Sequence, residues 1–425
     1  MSADTIRLQH QLDVYKGLVE VSALINGITE SAELMPAILD VARRVMNADA
    51  ASLFLVNSAG DLEMVSASSI AGPSGPPPQR IVVPRGRGIS GWVLENGQPL
   101  LVPDAYEDPR FYRDADRQTG YRTRSIVCVP LLRNGQEIGV LQVLNPNDRP
   151  AFDEADLAAF EAYGNLVATA IDKLRTIERR REQLRIDQEL AIARDIQSSF
   201  LPQSLPHRPG FGFAASYRPA RDVGGDFYDV VEIAPGRFFF VVGDVSGKGM
   251  PAALLMAQAV STLRLILEPQ ISPPAALARW NDMLCGHTIR GMFITALLGR
   301  VDIADRTVEL TSAGHSHPIV MRANGVVEEV KVPGGPPLGI LPSRGTSSST
   351  TRLAPGEWLV CYTDGLNESF NAAREQLGSS GVQRLLTGSF ATAEDIVAAL
   401  VAGEEQHRGG ADPHDDLTTL VAGGA

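Results

Sequence analysis

Residues Leu8, Leu12, Tyr15, Leu18, Val19 and Ser22 follow one another at three- and four-residue steps, and Leu34, Ile38, Val41, Ala42 and Val45 repeat the rhythm. That spacing predicts two amphipathic helices between residue 5 and about residue 46. Residues 51–56 and 62–67 are short apolar runs around Ser58-Ala59-Gly60-Asp61, which predicts two strands and a turn. Residues 72–78 (GPSGPPP) read as a loop, because proline offers no amide to a helix or a central strand. Residues 89–96 predict a helix stopped by Gly97, and the apolar runs 124–132 and 137–145 predict a hairpin around Asn134-Gly135.

No Gly or Pro interrupts residues 165–199 after a helix that starts near Asp153. Along it Ala170, Ile177, Leu184 and Ala191 keep a seven-residue step, with Val167 and Leu174 at a second position that then becomes Arg181, Gln188 and Asp195. A dimer seam and a solvated connecting helix are both open readings of that pattern. Leu190, Ile192, Ile196 and Phe200 are expected to face the sheet that follows, and Pro202 ends the helix. Beyond it, the aromatic and β-branched run 237–242 reads as a buried strand after the turn at Pro235-Gly236, in a hairpin that carries one acidic turn on each arm near the same end of the sheet. Residues 250–267 predict a helix with Pro251 in its first turn, 293–301 and 307–312 a hairpin, 357–362 a buried strand and 391–403 a last amphipathic helix.

Composition narrows the class. The 425 residues suffice for two or three domains, and 44% hydrophobic with 21% charged residues is an ordinary globular balance. A formal net charge of −12 argues against a nucleic-acid grip, which needs surface that neutralises phosphate. Cys128, Cys285 and Cys361 are scattered and imply no disulfide framework. The longest apolar stretch, 252–267, is broken by Gln258, Ser261, Thr262 and Arg264, and the N-terminus shows no secretory signal pattern. A cytoplasmic protein with no membrane span is expected.

The candidate chemistry lies in acidic turns at strand ends. Asp226 follows Gly224-Gly225, Asp244 follows Gly243, Asp364 follows the strand 357–362, and Asp415-Asp416 precedes a short Leu/Thr/Val run. Each Gly-Asp pair by itself is also an ordinary turn former. Taken together, carboxylates brought close would repel unless a cation sat among them, and glycine lets a carbonyl such as that of Val245 approach the ion. With no Cys or His at ligand spacing, oxygen donors of this kind suit Mg²⁺ or Mn²⁺. Two such ions about 4 Å apart activate a bridging water and clamp a phosphoryl group.

The ordered series GGDFYDV, GDVSGKGMPAALLM, SAGHSHP, GGPPLGI, YTDGLNE and DDLT resembles the SpoIIE/RsbU-type branch of the metal-dependent serine/threonine phosphatases (PPM family), over roughly residues 190–423. The resemblance implies an α-β-β-α sandwich with a two-ion Mn²⁺ or Mg²⁺ centre. It implies that Asp226, Asp244, the Val245 carbonyl, Asp364 and Asp415 hold the ions, with Asp244 bridging them. Asp229 and Asp416 are open as ligands or as turn and supporting groups, and Arg221 reads as an exposed loop residue. It further implies hydrolysis of a phosphoprotein by metal-activated water without a phospho-enzyme, the substrate being an anti-sigma-factor antagonist.

The text GRGISGWVLENGQPLLVPDAYEDPRF, RSIVCVPLL and EIGVLQVLN resembles a GAF domain, a sensor fold with an antiparallel sheet and flanking helices, over about residues 15–175. It implies a small-molecule ligand or a protein-contact role, and does not choose between them. The expected organisation is therefore α+β: a GAF sensor domain with leading helices over 1–175, a helical and conceivably coiled-coil linker over 176–205, and the phosphatase domain over 206–425. A homodimer, and control of the metal site through the connecting helix, are part of that expectation. Lys248 is open as a phosphate contact or an exposed side chain, and His315 as a proton donor or a buried brace. The rival is a catalytically silent, partner-binding adaptor, whose signature would be a lost carboxylate; all four are present.

Overall fold

The computed structural model describes residues 30–69, 72–75, 81–113, 116, 121–285, 291–342 and 346–424, with residues 16, 19, 20 and 23. Most of the first leading helix (Leu8, Leu12, Tyr15, Leu18, Ser22) and Pro76 to Pro78 lie outside the described residues. The chain divides into two compact units, Met1–Leu184 and Arg185–Ala425.

In the first unit, helix α1 (Ser31–Val45) leads into β1 (Ala48–Val56), β2 (Leu62–Ser69), β3 (Gly72–Gly75), β4 (Val82–Val83), α2 (Gly88–Asn96), β5 (Leu100–Val102), β6 (Ile126–Arg133) and β7 (Gln136–Pro146). They form a seven-stranded sheet ordered β3-β2-β1-β7-β6-β5, with β4 beside β2. The stretch read as a loop at 72–78 thus contributes an edge strand. An edge tolerates Pro73, since one side of the strand needs no ladder partner. Asn134 and Gly135 both take positive φ (51° and 78°), the conformation a two-residue hairpin turn demands. Gly97 caps α2 in the left-handed region at φ 63°.

Burial alternates along β6. Val127, Val129 and Leu131 pack with α1 on one face, while Ile126 and Cys128 pack with Ile89, Val93 and Leu94 of α2 on the other. The first face is closed by helix α3 (Glu154–Phe200), whose Phe160, Val167, Ala170, Ile171 and Leu174 join that core. Tyr163 donates its hydroxyl to the Ile38 carbonyl of α1 at 2.6 Å. The apolar beginning of the seven-residue pattern is therefore consumed within its own unit. Its continuation is solvent-facing, with Leu184 54% exposed.

The second unit begins within α3. Its strands and helices follow as β8 (His207–Arg208), β9 (Phe211–Arg218), β10 (Phe227–Ala234), β11 (Arg237–Val245), α4 (Met250–Ile266), α5 (Pro273–Leu284), β12 (Ile294–Asp302), β13 (Thr307–Ala313), β14 (Ile319–Met321), β15 (Val327–Glu329), β16 (Gly334–Gly335), β17 (Ser349–Arg352), β18 (Glu357–Tyr362), α6 (Asp364–Asn367), α7 (Gly378–Leu385), α8 (Ala393–Arg408) and β19 (Leu417–Gly424). One sheet is ordered β10-β11-β12-β13-β16 with β17 beside β13, and the other β15-β14-β18-β19-β9-β8. Phe238, Phe240, Val242, Leu297 and Leu310 of the first sheet meet Phe213, Leu359, Cys361 and Leu420 of the second in a shared core. Leu255, Met256, Val260, Leu263 and Trp280 cover the outer face of the first sheet, and Val382, Ile396 and Leu400 that of the second. The result is a four-layer α-β-β-α sandwich.

Two expectations change here. Ile192 and Ile196 do not face the sheet; they are 60% and 57% exposed, and polar Gln197 is the buried residue of that turn. A helix end can bury an amide in place of an alkyl group when backbone partners satisfy it. Helix α5 was not foreseen either, although Ser272 caps it and Pro273-Pro274 open it, the pattern of a helix start.

Gly299 on β12 sits under the Phe240 ring, and a Cβ there would stand 2.1 Å from it. Gly299→Ala is expected to lower stability by about 1–3 kcal/mol, the usual cost of overpacking, read as a lower urea midpoint with the wild-type fold retained.

Candidate active site

The hairpin register brings two of the acidic turns to one end of the first sheet. Phe227 pairs with Gly243, so Asp226 and Asp244 flank the same rung, and Asp244 pairs across to Thr295. In the second sheet Tyr362 pairs with Thr419, and the Thr363 amide donates to the Thr418 carbonyl at 3.1 Å. Asp364 and Asp415 therefore leave neighbouring strands at the same end. A side-chain bond joins the sheets there: Thr363 Oγ1 donates to Asp226 Oδ2 at 2.6 Å.

The four carboxylates feel one another. Burial, then the charge of Asp244, pushes the Asp226 carboxyl well above the usual range. Burial, then Asp364 and Asp415, pushes Asp244 up to about 7, and the Asp226 carboxyl stands within hydrogen-bonding reach of it. Asp364 is raised by burial and then by Asp415. Lys248, beyond the second acidic turn, pairs with Asp415 at 3.0 Å and also donates to the His414 carbonyl. Glycine allows the close approaches: a Cβ on Gly225 would lie 2.7 Å from the Val245 carbonyl oxygen, and one on Gly365 would lie 1.9 Å from the Asp416 carbonyl oxygen.

Neighbouring acidic residues hold the turns in place. Asp416 accepts from the Ala220 and Gly225 amides at 2.7 and 2.6 Å, clasping the loop before Asp226. Asp229 is buried against Arg264 of α4 at 2.6 Å and accepts from the Val230 amide. Both are supporting groups as placed. His315 is buried, its Nδ1 2.9 Å from Thr295 Oγ1, and burial lowers its pKa to about 4, so it is a neutral brace at neutral pH. Arg221 is exposed. Sequence reasoning missed Thr363, which reads as the end of an apolar strand, and Gln197, which sits among charged and apolar helix residues; neither carries a local signal.

Among the described residues, no three His, Cys, Asp or Glu side chains form a ready-made ion-holding group. The donor chemistry nevertheless fits a hard cation. It consists of oxygen donors, one of them the fully buried Asp226, and burial followed by neighbouring carboxylates raises the pKa of Asp226, Asp244 and Asp364.

Residues 234–423 match the family model "Stage II sporulation protein E (SpoIIE)", and residues 31–171 match the GAF domain model. The chain thus carries a GAF domain followed by a SpoIIE-type domain. Asp244, Asp364 and Asp415 lie inside the SpoIIE match, and Asp226 precedes it. The SiaA-PP2C domain of Pseudomonas aeruginosa shares the fold of the second unit, at TM-score 0.50 and 23% identity over 56% of this chain and 96% of that one. Protein IcfG of Synechocystis is 27% identical over 261 residues, 55% of this chain and 41% of IcfG. The probable 3',5'-cyclic phosphodiesterase pde-5 of Caenorhabditis elegans is 32% identical over 177 residues, 37% of this chain and 23% of that protein. The chain thus spans less than half of either relative. The fold class anticipated from sequence, α+β with a GAF domain ahead of a phosphatase-type sandwich, is the one found.

The raised carboxyls fix the sign of a pH effect. A raised folded-state pKa means that the folded state holds protons which the unfolded state releases. Their stabilisation is complete below the ordinary carboxylate pKa near 4 and is lost as pH rises through the folded value, about 7 for Asp244. With divalent ions chelated, Tm is expected to fall between pH 5 and pH 8, and added Mn²⁺ to restore it more at pH 8 than at pH 5. A chelated protein whose Tm rises over that interval would contradict the assignment.

Proposed function

We propose that the SpoIIE-type domain is a metal-dependent protein serine/threonine phosphatase, with Asp226, Asp244, the Val245 carbonyl, Asp364 and Asp415 holding two Mn²⁺ or Mg²⁺ ions. The observation that carries this reading is that carboxylates from four separate turns meet at one end of the sandwich, where burial and neighbouring carboxylates hold Asp226, Asp244 and Asp364 above the ordinary carboxyl range. Bound ions would supply an activated water and neutralise the phosphoryl oxygens. The chain's own residues do the rest. Thr363 orients the Asp226 carboxylate, and Asp416 fixes the loop that presents it. Lys248 holds Asp415 while leaving positive charge at the mouth of the site.

The proposed substrate is a phosphoserine or phosphothreonine on a protein of the anti-sigma-factor antagonist kind, a reading that the SpoIIE match supports. The GAF domain is the proposed sensor, taking a small-molecule ligand or a protein contact. Helix α3, continuous from Glu154 to Phe200, is the proposed route of control. Its exposed Leu184 supports a homodimer as the working assembly. The three cysteines are free, as in a reducing cytoplasm. Among the described residues no helix is long and apolar enough to cross a membrane.

Hydrolysis of an aryl phosphate tests the activity. Turnover is expected with Mn²⁺ and absent with EDTA. Asp364→Asn should lower kcat/KM by more than the roughly 10–100-fold that losing even an outer partner of a metal ligand costs. No turnover with added Mn²⁺, on the aryl phosphate or on any phosphorylated partner, would return the domain to the adaptor reading, and an unimpaired Asp364→Asn would remove Asp364 from the proposed site.

A further inference from the structure

Gln197, in the last turns of α3 and inside the second unit, is 5% exposed. Both ends of its amide engage one residue: Nε2 donates to the Gly224 carbonyl at 2.5 Å, and Oε1 accepts from the Gly224 amide at 3.2 Å. A side-chain amide paired in this way acts as a strand neighbour would, fixing the peptide planes on either side of Gly224. Arg194, one turn earlier, donates to the Asp222 carbonyl at 2.8 Å and to its carboxylate at 2.6 Å. Arg264 of α4 donates to the Phe200 carbonyl at 3.0 Å, holding the helix end itself.

The turn has no slack on its other sides. A Cβ on Gly224 would lie 2.3 Å from Asp416 Oδ2 and 2.6 Å from the Tyr217 hydroxyl, and one on Gly225 would lie 2.7 Å from the Val245 carbonyl oxygen. A segment held this closely moves only with what grips it. Two residues further on, Asp226 presents its carboxyl to Asp244.

We propose that Gln197 is a positioning residue for the acidic site: by clasping both backbone groups of Gly224 it sets where Asp226 stands, and so whether the site accepts its cation. The inference rests on the metal-holding reading of the site given above. Ile192 and Ile196, the apolar residues of the same turns, point to solvent, so Gln197 and Arg194 rather than alkyl packing join this part of the helix to the acidic turn.

The test uses the full chain and Gln197→Met, which keeps length and bulk and removes both hydrogen bonds. Gln203→Met serves as the control, since Gln203 bonds the Ser198 carbonyl at the same helix end and touches no acidic turn. Hydrogen exchange of the peptide 220–227 in EDTA and Mn²⁺ affinity by EPR are read in each. Gln197→Met is expected to speed exchange at Gly224 by roughly tenfold, the scale of a lost buried hydrogen bond. Its Mn²⁺ affinity is expected to fall by a similar factor, with KM for an aryl phosphate at saturating Mn²⁺ unchanged and Gln203→Met like wild type.

Wild-type exchange and wild-type Mn²⁺ affinity in Gln197→Met would overturn the proposal. Should that variant not fold, Arg194→Met, altered at an exposed position on the same clasp, is expected to shift both readouts in the same direction by a smaller factor; no shift there overturns the proposal equally. A wild-type chain that binds no Mn²⁺ would instead defeat the metal reading of the site, and the exchange measurement would still decide whether Gln197 holds the turn.

Discussion

Four carboxylates at the end of a buried sandwich repel one another, and the architecture of the second unit is arranged around containing that repulsion. Burial removes the water that would screen the charges, which is why Asp226, Asp244 and Asp364 hold their protons more tightly than ordinary carboxyls. Three kinds of contact keep the turns together against it. Thr363 bonds Asp226 across the two sheets, Asp416 accepts two backbone amides of the loop ahead of Asp226, and Lys248 pairs with Asp415. A hard cation would satisfy the same deficit at once, and the same electrostatics would make it an agent of both chemistry and stability.

The sandwich supplies rigidity where those turns need it. The two sheets pack on each other through one face and on helices through the other, so β11, β18 and β19, whose ends carry Asp244, Asp364 and Asp415, are anchored by apolar packing. Glycine appears at the points of closest backbone approach, Gly225 against the Val245 carbonyl and Gly365 against the Asp416 carbonyl, where any side chain would force the turns apart. The GAF domain follows a different logic. Its sheet is closed on one face by α1 and the start of α3, and the hydroxyl of Tyr163 on α3 ties those two helices together at the Ile38 carbonyl.

Local periodicity made much of this readable. Strand and helix patterns gave the hairpin with Asn134-Gly135, the helix ended by Gly97, the hairpin that carries Asp226 and Asp244, and the continuous helix through residue 199, because each depends on residues a few positions apart. The misreadings share a cause. Ile192 and Ile196, expected on a sheet, face solvent, since an apolar stripe states that a face can be buried but not against what. Residues 72–75 became an edge strand because a sheet edge was available to them.

The order of residues alone determined most of the elements that form, where acidic turns interrupt them, and that no Cys or His pair stands at metal-ligand spacing among those turns. Only the tertiary structure decided that Asp229 is spent on Arg264, that His315 is a neutral brace beside Thr295, that Asp416 clasps a loop, and that Gln197 reaches Gly224. The physical reason is range. Backbone propensity acts over a few residues, whereas a buried polar group takes its role from whichever partner the packed sheets bring within hydrogen-bonding distance, and those partners lie as far as 196 positions away along the chain.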